Sequence, residues 1–284
     1  MSKTRIVDTH THVISSDPER YPLTPRDLSG KWYLEAPASA SDLAIAMDES
    51  GVDQAVLVQG VGAYTYDNRY AADSARANPE RFTSACCIDV EAADALDTLA
   101  YWIGEQGMAG IRLFALSREG PSWLVDERTF PIWTRAAALD AHVIVTIFPQ
   151  QLEELERVLE RFPEIPVSLD HCAFALGAPE TRARLIRLAR YTNLHLKLST
   201  HVLDEATRQE GSARPLIQSL VDHFGAERLM WGSDFCQTHD RSYAELVALA
   251  RDSFGGLARA DQDACLSGTA RKLWPALAAN LSIA

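Results

Sequence analysis

Nowhere in the 284 residues does an apolar run approach the roughly 20 that a membrane span requires. No apolar leader precedes Ile6, so the expected location is cytoplasmic. Basic charge is scarce: 27 Lys and Arg stand against 39 Asp and Glu, a net charge of −12. Nucleic acids and anionic membranes need a basic face, so neither is expected as a general partner. A small anion is still compatible, because a few local arginines override the global sign. The five cysteines (Cys86, Cys87, Cys172, Cys236 and Cys265) are odd in number and form no Cys-x-x-Cys. They read as reduced and mostly buried. No G-x-G-x-x-G or Walker loop follows any strand-like run, so nucleotide binding is not indicated.

What is present is an ordinary globular composition, 47% hydrophobic and 23% charged. Eight short β-rich runs alternate with helical ones. The runs lie at 6–12, 53–59, 82–88, 110–114, 142–148, 166–172, 194–200 and 229–235. Strands alternating with helices call for a parallel sheet, and eight units in about 250 residues match a (β/α)8 TIM barrel. The rival is an open doubly wound sheet, which the missing phosphate-binding loops disfavour. No linker or composition break divides the chain, so residues 1–284 are expected to form one barrel domain. A long segment up to about residue 40, with Trp32 and Tyr33, has no clear period. It reads as a lid or as an ordinary surface loop. A helix is expected from residue 41, ended by Gly51.

In such a barrel the chemistry gathers at the C-terminal strand ends. Alternation along the first strand puts Asp8, His10 and His12 on one face. Two imidazoles so spaced can point at one divalent ion, whereas the plainer reading is two separate local histidines. The fourth strand offers Arg112 and the sixth His171. The seventh offers Lys197, Ser199 and, just beyond, His201, and the eighth Asp234. Singly, each has a structural alternative: a hydrogen-bonded core histidine, a loop cap, or paired buried ions with Asp8 neutralising Lys197. Three histidines and an aspartate at three strand ends are hard to assign to accident. Gln150, Tyr64 and Tyr66 are weaker candidates for substrate contact. His142 begins its strand and is expected to be structural, at the opposite end.

Three motifs carry a resemblance: Val-Asp-Thr-His-Thr-His-Val from residue 7, Leu-Asp-His-Cys at 169–172 and Met-Trp-Gly-Ser-Asp-Phe at 230–235. They resemble the amidohydrolase superfamily, in its amidohydrolase-2 branch, and the likeness runs on to Gly-Thr-Ala-Arg-Lys-Leu-Trp at 268–274. Phe-Pro-Gln-Gln-Leu at 148–152 and Leu-Lys-Leu-Ser at 196–199 are similar to the lactonase group. That group includes 2-pyrone-4,6-dicarboxylate lactonase, 4-sulfomuconolactonase and L-fuconolactonase. The resemblance implies a hydrolase for a small anionic lactone. Asp234 would be general base, His10, His12 and His171 would be catalytic, and Arg112, Lys197, His201, Gln150 and Tyr64 would contact substrate. Decarboxylases of this branch carry a zinc-binding histidine at the end of strand five, where this chain has Thr146-Ile147-Phe148-Pro149. Binuclear hydrolases want a lysine or glutamate on strand four, where this chain has Arg112. The residual set of His10, His12, His171 and Asp234 suits one divalent ion, zinc by preference, and metal-free operation stays open. An aromatic-acid decarboxylase and a non-catalytic binding barrel are the competing functions, and the sequence leaves homo-oligomerisation open.

Overall fold

The computed structural model describes residues 5–26, 28 and 30–279. Eight parallel strands follow one another around one sheet in chain order. They are β1 (Val7–Thr11), β2 (Gln54–Val58), β3 (Phe82–Cys86), β4 (Gly110–Phe114), β5 (His142–Thr146), β6 (Val167–Leu169), β7 (Leu194–Ser199) and β8 (Leu229–Gly232). Beyond β8 the chain returns to β1. Thr11 bridges Phe235 in parallel, and the Asp234 N–H donates to the His10 carbonyl at 2.8 Å. The result is a nearly closed (β/α)8 barrel, as the eight β-rich runs predict. No helix among the described residues is long and apolar enough to cross a membrane.

Closure depends on Gly232. A Cβ there would lie 2.6 Å from the His10 Cβ and 3.0 Å from the His10 amide nitrogen. Gly232→Ala must therefore push β8 away from β1. The expected cost is about 1–3 kcal/mol, seen as a lower urea midpoint with an unchanged denaturant slope.

The inside and outside of the barrel follow the strand alternation. Leu194, Leu196 and Leu198 enter the apolar layer between sheet and helices, while Lys197 and Ser199 turn inward to meet Asp170 and His171. At the N-terminal end, Val7, Val56, Val58, Ala85, Ile144 and Met230 form a floor that Trp274 and Leu277 plug. His142 lies there, as its place at the start of β5 predicts. Its Nε2 is 2.6 Å from Ser168 Oγ, and its ring meets Trp274 edge-on at 4.5 Å. All five cysteines are buried and unpaired.

Two local departures matter for the site. The pairing of β1 with β2 shifts register between Asp8 and Thr11, so Asp8 does not share a face with His10 and His12. Val7 joins the floor, whereas the Asp8 carboxylate accepts the Tyr243 hydroxyl at 3.0 Å from the outer helix Tyr243–Phe254. The sixth strand also stops at Leu169, short of the expected residue 172. His171, Cys172, Ala173 and Phe174 all take positive φ, between 50° and 54°. A left-handed turn replaces the strand end and carries both Asp170 and His171 inward.

The long segment after β1 is packed in its described part. Ile14, Tyr21, Trp32 and Tyr33 cluster with Ala63, Tyr64 and Cys236, and Trp32–Glu35 forms a short helix. The next helix is Ala40–Ser50. Ser39 caps it in a reciprocal box with Asp42, and Gly51 ends it at φ 67°.

Candidate active site

His10 and His12 stand at the C-terminal end of β1 with their rings 5.0 Å apart. His12 Nδ1 lies 2.8 Å from the Val58 carbonyl, which only accepts, so Nδ1 carries the proton. In the neutral ring Nε2 is then bare, and it stands 3.3 Å from Asp234 Oδ1. His10 Nε2 lies 3.6 Å from the same oxygen, and its Nδ1 lies 3.2 Å from Asp170 Oδ1. Burial outweighs the pull of Asp170 and lowers His10 well below the usual imidazole range. Burial works against ionised Asp234, yet the polar surroundings made by the His12, His171 and His10 imidazoles hold its carboxyl below the normal range. Asp234 itself is at φ 62°, an uncommon conformation for a non-glycine residue, held by its N–H bond to His10.

This donor set fits a divalent ion. His10 Nε2 and Asp234 Oδ1 are buried and make no hydrogen bond, and His12 Nε2 points at the same carboxylate oxygen. Ligand atoms of His10, His12 and Asp234 lie within 4.8 Å of one another. Zinc bonds of roughly 2.0–2.2 Å put neighbouring tetrahedral ligands roughly 3.3–3.6 Å apart, and three protein ligands leave one position open. The two separations to Asp234 Oδ1 fall in that range. His171 groups instead with His10 and Asp170. Its Nδ1 meets Ser199 Oγ at 2.8 Å, its ring is 4.9 Å from that of His10, and burial lowers its pKa.

The polar floor beneath this cluster is organised by a residue absent from the sequence-derived set, Asp170. It is fully buried. Its Oδ1 meets Lys197 Nζ at 3.1 Å, and its Oδ2 accepts from Arg112 Nε at 2.9 Å and the Thr146 hydroxyl at 2.8 Å. Burial opposes its ionisation, but Lys197, His10 and Arg112 outweigh that and hold the carboxyl well below its usual range. The expected pairing of Lys197 with Asp8 is therefore corrected. Asp8 accepts from the backbone N–H groups of Ser233 and His10 and from Tyr243, and burial pushes it up to about 6. In a regular strand Asp170 would face away from His171, which is why periodicity misses it. The one available signal was its place beside His171 in Asp-His-Cys.

A cavity of about 510 Å³ opens above the cluster, lined among others by Trp32, Arg112, Arg118, Phe148, His171 and Phe174. Arg112 Nε is held by Asp170 and Thr146, and its terminal nitrogens have no hydrogen-bond partner among the described residues. Arg118 lies over the Phe148 ring at 4.7 Å. The Trp32 ring lies 5.4 Å from His12. Other candidates stand further off. The Gln150 amide donates to the Ser117 carbonyl on the surface. The Tyr64 hydroxyl accepts from the Ser15 N–H inside the aromatic cluster, and Tyr66 pairs with Arg26. His201 is exposed behind Phe174 and lines a smaller cavity of about 200 Å³ that also touches His171.

The profile of the amidohydrolase family matches residues 7–276. A curated relative, the L-fucono-1,5-lactonase of Burkholderia ambifaria, is 28% identical over 200 residues, 68% of each chain. Among solved structures, a Pseudomonas putida protein assigned as a 2-pyrone-4,6-dicarboxylic acid hydrolase superposes with a TM-score of 0.77 at 24% identity, covering 97% of this chain and 99% of that one. An amidohydrolase from Burkholderia multivorans with bound zinc gives 0.76 at 23% identity, covering 95% and 99%. Those two likenesses concern the fold. The profile match over nearly the whole barrel shows the family: the chain belongs to the amidohydrolase family.

Proposed function

We propose that the protein opens the ring of a small, carboxylate-bearing lactone by attack of water. The observation that carries this reading is the meeting of Asp234 Oδ1 with His12 Nε2 at 3.3 Å and His10 Nε2 at 3.6 Å, beside the cavity lined by Arg112. Lactone hydrolysis needs a base for water, polarisation of the carbonyl, and a proton for the departing oxygen. Asp234, ionised at neutral pH, takes the proton from water. Its fixed backbone and the imidazoles of His10 and His12 hold the carboxylate at one angle. His171, oriented by Ser199 and packed beside His10, lines the cavity, where it can pass a proton to the leaving oxygen. Trp32, Phe148 and Phe174 limit water at the reacting carbonyl. His10, His12 and Asp234 would hold a zinc-type ion, which when bound polarises the carbonyl and lowers the pKa of water.

Arg112 supplies the anion site. With Nε committed to Asp170 and Thr146, its two terminal nitrogens are turned as a fork for a substrate carboxylate. Arg118 adds a second positive charge at the cavity wall. Arg112→Met is expected to raise KM for an anionic lactone by roughly 10- to 100-fold, the worth of a charge-assisted bond of about 1.5–3 kcal/mol, with kcat changed far less. An unchanged KM would make Arg112 structural.

The proposal is tested by acid release from a panel of aldonolactones, muconolactones and pyrone carboxylates. Turnover of at least one carboxylated lactone is expected, and no turnover of any would remove the reading.

A further inference from the structure

Four polar groups of the site meet at Asp170, a residue placed above in neither the ligand set nor the anion site. Oδ1 faces His10 Nδ1 and Lys197 Nζ, and Oδ2 takes Arg112 Nε and the Thr146 hydroxyl. We infer that Asp170 is a positioning residue that ties the cation-binding imidazole to the anion-binding guanidinium. This rests on the proposed site and deepens it.

The argument is geometric. A neutral imidazole has one N–H. If His10 carries it on Nδ1, it donates to Asp170 Oδ1 and turns a bare Nε2 toward Asp234. The other tautomer would set a bare Nδ1 against a buried carboxylate at 3.2 Å, two acceptors with nothing between them. Asp170 therefore selects the tautomer that offers a lone pair to a cation, as carboxylates behind metal-binding histidines do. The other oxygen fixes the rotation of Arg112, whose flat guanidinium has one edge on Asp170 and Thr146 and the opposite end toward the cavity. The charges add to this. One carboxylate faces two basic side chains, Lys197 and Arg112, in a buried setting. With Lys197 paired to Oδ1, the Arg112 guanidinium keeps its terminal nitrogens for an anion on the cavity side. A single side chain thus sets the orientation of both halves of the site, and its loss must be felt in both.

The experiment uses the full chain, with zinc affinity measured by chelator competition and glutarate affinity by calorimetry. In folded Asp170→Asn, zinc and glutarate are each expected to bind at least about 10-fold more weakly. Arg112→Met should weaken glutarate alone. In zinc-free protein labelled with ¹⁵N-histidine, His10 should give the Nδ1–H tautomer signature, and Asp170→Asn should lose it. Zinc and glutarate affinities both within about threefold of wild type in folded Asp170→Asn would overturn the inference. Should that variant fail to fold, Thr146→Val removes only one hydroxyl from Oδ2. Weakened glutarate and zinc together would support the coupling, and neither changing would refute it. Wild-type protein that binds no zinc refutes the proposed cation site instead, and the His10 tautomer then decides the role of Asp170.

Discussion

Asp234→Asn is expected to lower kcat by at least about 10³-fold, within the range a positioned general base supplies, while the protein stays folded. The substitution keeps the shape of the side chain and leaves the N–H of residue 234 on the His10 carbonyl, the bond that holds the positive φ. What it removes is the proton acceptor and one anionic donor to a cation. KM should move little, because the anion site lies on Arg112. Stopped-time assays on the turned-over lactone, with a melting curve as control, read both expectations. Near-normal turnover would take Asp234 out of the chemistry.

The second large effect concerns the cation. Chelator-stripped protein is expected to lose at least about 100-fold in activity, since polarisation of a carbonyl by a metal is worth several kcal/mol. One equivalent of zinc should restore it. The reason lies in the donor set: two imidazole nitrogens and one carboxylate oxygen converge, and a neutral imidazole has only one proton to offer. In the stripped state those lone pairs face one another across a buried space, so the apo protein should also melt at a lower temperature than the zinc form. Full activity after stripping, with zinc-free protein verified by elemental analysis, would take the cation out of the chemistry.

The parts of this molecule that the sequence reveals are those governed by local period. All eight strands fall inside the β-rich runs, because β-branched and apolar residues favour a pleated, buried surface. His10, His12, His171 and Asp234 stand out in the sequence as polar residues at the ends of those runs. The barrel then brings His10, His12 and Asp234 together, with His171 beside them through His10 and Asp170.

The misses share one cause, backbone that leaves the regular period. Strict alternation aligns Asp8 with the histidines, but the register shift at residues 8–11 breaks it. Asp170 escapes the periodic pattern because a regular strand on to residue 172 would turn it from the axis, whereas His171, Cys172, Ala173 and Phe174 turn left-handed. Nothing in His-Cys-Ala-Phe signals positive φ, which non-glycine residues adopt only when surrounding structure imposes it. The aromatic packing of Trp32, Tyr33 and Tyr64 was equally hidden, since its partners come from segments far apart in the chain. Arg118 belonged to an irregular loop, and only the cavity shows that it faces the same space as Arg112.

Zinc K-edge X-ray absorption on the zinc-loaded protein tests the central arrangement most directly. Wild type should show one zinc with two imidazoles and oxygen ligands at roughly 2.0–2.2 Å, and His12→Gln should show one imidazole fewer. A spectrum without imidazole scattering, or one that His12→Gln leaves unchanged, would contradict it.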